Sequence, residues 1–197
     1  ITLLTFNFKY MAIVLVVLVV IVIVVALLFV SIYNNLVTLR ANREQAFADI
    51  DVQMKQRYDL VPNLVNTVKG YATHEKELLE KLTELRSVAM GAKGVDEKIA
   101  ADNQFSSTLK TLFAVSENYP DLKANQNFMQ LQTELSDIEN KIAASRRFFN
   151  SASKELNASI LVFPASVIAP MMGFKAVSYF ELGEERESAS KPVEVKF

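Results

Sequence analysis

Apolar residues fill positions 11–30 without interruption, MAIVLVVLVVIVIVVALLFV, and from residue 36 onward they recur every three or four positions instead. The first pattern predicts a helix about 30 Å long, which matches the hydrocarbon thickness of a bilayer. The second predicts amphipathic helices that pack against one another. Leu36, Phe47, Ile50 and Met54 share a face over residues 36–58, and Leu64, Val68, Leu79 and Leu82 continue such a face over 62–90. Ile99, Leu109, Leu112 and Phe113 mark a third helix over 95–118. Phe128, Leu131, Leu135, Ile138, Ile142, Phe149, Ala152, Leu156 and Phe163 form a seam along a fourth, over 121–163. The fold class predicted is all-α: an N-terminal transmembrane helix, then an antiparallel four-helix (or kinked three-helix) bundle with a long last helix.

Local breakers set the expected boundaries. Gly91-Ala92-Lys93-Gly94 and Asn118-Tyr119-Pro120-Asp121 each end a helix, and Asp96 and Asp121 can cap the next. Asp59-Leu60-Val61-Pro62 is the harder case. Proline in a helix interior costs about 3 kcal/mol or more, but a first turn tolerates it. With Asp59 as N-cap, Pro62 falls in such a first turn. A single helix from 36 to 90 would exceed about 80 Å, whereas a break gives helices of roughly 35, 43 and 36 Å beside a last one of about 64 Å. A break at 59–62 is therefore expected, with Asp59, Pro62, Pro120 and Asp121 as hinge and cap residues. The chain then divides into a flank (1–10), an anchor (11–32), a bundle (33–163), an apolar segment (164–180) and a charged tail (181–197).

Charge sharpens the reading of the anchor. Of 21 Lys and Arg and 22 Asp and Glu, only Lys9 precedes Arg40. A signal peptide would have a shorter apolar run and a small-x-small cleavage site, and the run here exits into Ser31-Ile32-Tyr33-Asn34-Asn35. The span is expected to remain as an anchor. Arg40 and Arg43 follow it and Lys9 precedes it, or nothing does if Met11 is the start, so the bundle is expected in the cytoplasm with the N-terminus outside.

Candidate chemistry is sparse. The chain has no cysteine and one histidine, which excludes disulfides, thiolate metal sites and Cys nucleophiles. His74-Glu75 lacks the second histidine that a zinc-protease helix needs, because position 78 is Leu. The two-histidine form of a di-iron bundle is excluded on the same count. No Gly-x-Ser-x-Gly elbow or phosphate-binding glycine loop is present, and a net charge of −1 gives no reason to expect nucleic acid. No catalytic residue, metal ligand or cofactor is expected. Tyr58/Asp59 and Tyr119/Pro120 are expected at one end of the bundle, in turns.

The fourth helix also carries a polar stripe, Glu139, Arg146, Asn150 and Asn157, beside its seam. Such a stripe is either a solvated flank of the seam or a partly buried ladder that fixes register against neighbouring helices. The distal seam outruns the shorter helices by about 28 Å. The segment at 164–180 is expected to fold back onto the bundle, with the membrane interface or a neighbour as alternatives, but, broken by Pro164, Pro170 and Gly173, it is short for covering that seam. Arg146, Phe149, Asn150, Leu156, Asn157, Ile160, Phe163, Met171, Met172 and Phe174 are therefore the expected contacts of a homo-oligomer.

The stretches Arg57-Tyr58-Asp59-Leu60-Val61-Pro62-Asn63-Leu64-Val65 and Val68-Lys69-Gly70-Tyr71-Ala72 with His74-Glu75 resemble the signature of the LemA family. So do Tyr119-Pro120-Asp121-Leu122-Lys123-Ala124-Asn125 with Phe128, and Glu139-Asn140-Lys141-Ile142-Ala143-Ala144 with Arg146-Arg147-Phe148. Asn157, Phe163-Pro164 and Gly173-Phe174-Lys175 complete a pattern over about residues 31–180, with Phe149 standing where the family often has Tyr. The resemblance implies a bacterial inner-membrane protein with an N-terminal anchor and a helical bundle, and no catalytic residues to carry over. A magnetosome-membrane relative implies a link to membrane organisation. Two functions are expected to compete: a self-associating scaffold at the bilayer, and an adaptor that presents its bundle to a membrane enzyme, protease or transporter. The anchor itself is testable. The full chain should stay in the membrane pellet through carbonate and high-salt washes, because apolar burial and not charge holds it; release by carbonate would contradict this.

Overall fold

A computed structural model of the protein describes residues 2–180, with side chains from residue 11 onward; the side chains of the flank 1–10 and the charged tail 181–197 lie outside the described residues. The described residues form α-helices and no strand. They are α1 (Thr2–Lys69), α2 (Lys76–Gly91), α3 (Val95–Ser116), α4 (Pro120–Lys123), α5 (Gln126–Leu161) and α6 (Ala165–Met171). The all-α class expected from periodicity is the class observed. Two compact units share these helices: α1 up to Asn42 with Lys154–Val177, and Arg43–Ser153 with the chain from Ser178.

The second unit is the bundle. Contacts give its direction, since Asp51 meets Lys98 and Arg57 meets Asp102, while Phe47 meets Phe149 and Phe113 meets Phe128. Hence α1 and α3 run parallel and α5 runs antiparallel to both, with α2 returning between α1 and α3. Ile50, Met54, Val61 and Leu64 of α1, Leu82 of α2, Phe105 and Leu112 of α3, and Phe128, Leu135 and Ile142 of α5 fill one core. In the first unit Leu36 and Leu39 of α1 pack with Leu156 and Ile160 of α5 and Ala169 of α6.

The expected break at 59–62 does not occur. Helix α1 runs through Pro62 and ends at Lys69, and the chain turns at 70–75 instead. Proline at position 62 supplies no N–H to the Tyr58 carbonyl four residues earlier, which is the cost that argued for a break. The structure meets that cost from a neighbouring helix. The Nε of Arg86 on α2 donates to the Tyr58 oxygen at 2.7 Å. Asp59 is thus an exposed residue inside a helix and caps nothing.

The other boundaries shift for local reasons. The break at 91–94 holds, with Gly94 at φ 87°, a left-handed conformation that favours glycine. Asp96 lies in the first turn of α3 without capping it, and the Glu97 carboxylate accepts from the Lys93 N–H at 2.8 Å. The expected fourth helix at 121–163 is divided into α4 and α5. Pro120 opens α4, and the cap of the long helix is Asn125, whose Oδ1 accepts from the Phe128 N–H at 3.1 Å. Asp121 sits in the first turn of α4, with no side-chain cap there.

The Pro62–Arg86 compensation predicts a coupling. Arg86→Ala should destabilise the protein, and should cost about 1 kcal/mol less when Pro62→Ala restores the backbone donor. Denaturant unfolding of the four chains in detergent measures this; equal costs in both backgrounds would contradict it.

Candidate functional site

Three charged residues sit where the helical period calls for apolar ones. Arg57 follows Met54 by three positions and precedes Val61 by four; Asp102 lies three from both Ile99 and Phe105; Arg146 lies between Ile142 and Phe149. Helical geometry therefore turns all three inward. Arg57 and Asp102 are completely buried and Arg146 nearly so.

They meet in one cluster that ties three helices together. Arg57 pairs through Nη2 with the Asp102 carboxylate on α3 and through Nη1 with Glu139 on α5. Arg146 on α5 donates to the other Asp102 oxygen at 2.6 Å, and the Tyr58 hydroxyl donates to Asp102 Oδ1 at 2.7 Å. Two guanidinium groups thus face two carboxylates, the fully buried Asp102 and the partly exposed Glu139, and the charge of the cluster balances. Aromatic rings complete the enclosure. The Arg57 guanidinium lies 5.1 Å from the Phe105 ring centre, and that of Arg146 lies 4.4 Å from the Phe180 ring centre.

The cluster fixes protonation states. Burial alone would lower the affinity of Arg57 for its proton, but the charges of Asp102 and Glu139 override this and raise its pKa. Burial, reinforced by the Asp102 charge and its hydrogen bond, pushes the Tyr58 phenol far above its usual range. Tyr58 is accordingly a neutral donor. Beside the cluster opens a groove of about 520 Å³, lined by Arg57, Ser106, Leu109, Phe113, Leu135, Ser136 and Glu139 among others. The Arg57 Nε and the Ser106 hydroxyl are buried with no hydrogen-bond partner.

At the turn end of the bundle, the Tyr119 hydroxyl donates to Glu75 at 2.8 Å and the Asn125 amide donates to the Tyr71 hydroxyl at 2.9 Å. The expected pairing of Tyr58/Asp59 with Tyr119/Pro120 at one end is not found, because Tyr58 is a core residue and Tyr71 takes its place. His74 is exposed. Among the described residues no three His, Asp or Glu side chains gather so as to hold a metal ion.

Most residues expected at an oligomer contact lie inside the chain instead. In the bundle unit Phe149 is fully buried, its ring tilted against that of Phe47 and under the Arg43 guanidinium. Arg43 in turn bonds Ser153 Oγ at 3.0 Å and the Ser178 carbonyl at 3.2 Å, and burial lowers its pKa. The Asn150 amide both donates to the Phe180 carbonyl, at 3.0 Å, and accepts from its N–H, at 2.7 Å. In the other unit Asn157 clamps Val177 in the same two-bond fashion, at 2.9 and 2.8 Å. Leu156 and Ile160 are buried with Leu36, Leu39 and Ala169, and Phe174 packs on them and on Tyr33.

The segment at 164–180 does fold back on the seam, as Phe174, Val177 and Phe180 show. An extended strand of chain, held by asparagine amides, covers more seam per residue than a helix does. Phe163, Met171 and Met172 alone of the expected contacts remain exposed. Arg146 serves the ion cluster.

The sequence pattern of the LemA family matches residues 46–197, which includes every charge of that cluster. The chain belongs to the LemA family. Among its relatives, "Protein LemA" of Metamycoplasma hominis is 28% identical over 158 residues, covering 79% of this chain and 72% of the relative. "Magnetosome protein MamQ" of Magnetospirillum gryphiswaldense is 25% identical over 187 residues, covering 82% and 68%. "Magnetosome protein MamQ 2" of Paramagnetospirillum magneticum is 24% identical over the same shares. One described helix, α1, is long and apolar enough to cross a membrane, and this LemA-family chain is a membrane-associated protein. The LemA-like stretches noted in the sequence supply Arg57, Glu139 and Arg146 to the cluster. Asp102 comes from outside them. Its signal in the sequence is a carboxylate between Ile99 and Phe105 on an apolar face.

The raised Tyr58 pKa gives a pH dependence. Above about pH 10 the unfolded tyrosine releases its proton while the folded one keeps it, so the unfolded state is favoured and stability falls as pH rises. Tyr58→Phe removes that contribution. Its unfolding free energy should start lower at neutral pH, by about 1–3 kcal/mol, and then decline less steeply between about pH 9 and 11 than that of the parent. Parallel declines would contradict the assignment.

Proposed function

We propose that this chain is a non-catalytic, membrane-anchored adaptor whose bundle recruits a partner protein to the bilayer. The observation that carries the reading is the internal closure of the α5 seam. Phe149, Leu156 and Ile160, the residues on which self-association would rest, are covered by their own chain. Recruitment is favoured over self-assembly on that ground. The ionisable side chains of the core are engaged with one another across three helices, which suits a rigid platform.

The groove beside the cluster is the proposed docking surface. It pairs apolar walls (Leu109, Phe113, Leu135) with polar groups (Ser106, Ser136, Glu139), a mixture suited to a protein segment. The MamQ relatives are by name magnetosome proteins, and a component role is what that name lends to the reading. The proposal takes the bundle to face the cytoplasm, which Arg40 and Arg43 after the span favour over Lys9 before it.

The test is purification of the tagged full chain from native membranes in mild detergent, with size and protein content determined. One specific companion protein should co-purify, and exposed Ser136→Trp, which fills the groove, should lose it while helicity is unchanged. A discrete complex containing this chain alone would overturn the reading in favour of a self-associating scaffold.

A further inference from the structure

The end of α5, the following turn and α6 form a corner within the same compact unit as the membrane span. Residues 156–174 contain no Asp, Glu, Lys or Arg. One side of this stretch is used internally, since Leu156, Ile160, Ala165 and Ala169 are buried. The other side is open. Phe163 is 84% exposed, Leu161 and Met171 are each 76% exposed, and Val162 and Val167 are each 59% exposed. Exposed large apolar residues in so dense a group mark a contact surface.

Its level along α1 indicates what covers it. Ile32 packs against the cluster formed with Leu156, Ile160 and Ala169, and the Tyr33 ring meets the Phe174 ring edge-on with centres 6.3 Å apart. The apolar run of α1 ends at Val30. Two helical residues correspond to about 3 Å of rise, whereas each headgroup layer is about 5–7 Å deep. The corner is therefore level with the headgroups that surround the end of the span. Tyr33 and Phe174 provide the aromatic rings, and exposed Lys175 the cation, that favour this depth.

We propose that the α5–α6 corner is a second membrane contact, inserting Leu161, Phe163 and Met171 into the interface of the bilayer that α1 crosses. The anchor and the corner then grip the membrane together, and the corner limits how α1 can tilt or rotate. This rests on the span alone and is independent of the adaptor role.

The chain has no tryptophan, so Phe163→Trp introduces a single indole into the full-length protein, excited at the red edge where the six tyrosines do not absorb. The variant is reconstituted into vesicles of phosphatidylcholine and phosphatidylglycerol, with the phosphatidylcholine brominated high on its acyl chains. Phe148→Trp, at an exposed ring of the bundle unit, serves for comparison. Phe163→Trp should lose at least half its emission to the brominated lipid, and Phe148→Trp should lose little. Val162→Trp repeats the measurement if Phe163→Trp fails to reconstitute. Equal quenching at the two sites would overturn the proposal. So would an emission at 163 shielded from both brominated lipid and aqueous iodide, which would place a second copy of the chain on the corner.

Discussion

A completely buried arginine cannot remain in a helical core unless its charge is met there, and this requirement governs the bundle. Arg57 has no access to water, so desolvation must be offset by carboxylates brought from other helices. Asp102 on α3 and Glu139 on α5 supply them, and Arg146 balances the second negative charge. Apolar side chains of similar volume could fill the same space without loss of stability. They could also slide by a turn. A guanidinium that must reach two carboxylates on two helices admits one register, so what the cluster adds is a fixed alignment of α1, α3 and α5.

The same logic of borrowed partners recurs elsewhere. Pro62 leaves the Tyr58 carbonyl without its helical donor, and Arg86 donates to it from α2. Backbone groups of the extended segment after α6 lack helical or sheet partners. In the bundle unit Asn150 satisfies those of Phe180, and in the membrane-proximal unit Asn157 satisfies those of Val177. Each is a tertiary answer to a local backbone deficit.

That pattern explains which features were legible in the sequence. The membrane span, the all-α class and the apolar faces depend on periodicity alone, and they were read from it. The stripe of Glu139, Arg146, Asn150 and Asn157 is compatible in sequence with a solvated flank or a register-fixing ladder, and its partners are not all helices: Asn150 and Asn157 hold extended chain. The break assigned to Pro62 failed because the compensating donor lies 24 positions away in sequence. Asp102 is not legible from the apolar positions at 99, 109, 112 and 113, because periodicity reports a face and not the charge set within it. Local propensity cannot report a partner contributed by another helix.

The ion cluster therefore stands or falls on Asp102. Denaturant unfolding of the full chain in detergent, comparing the parent with Asp102→Ala, measures its weight. Removing the shared carboxylate leaves two buried guanidinium groups facing one partly exposed glutamate, and should cost about 3–5 kcal/mol. A loss below about 1 kcal/mol, the range of a surface ion pair, would show that the bundle does not depend on this charge.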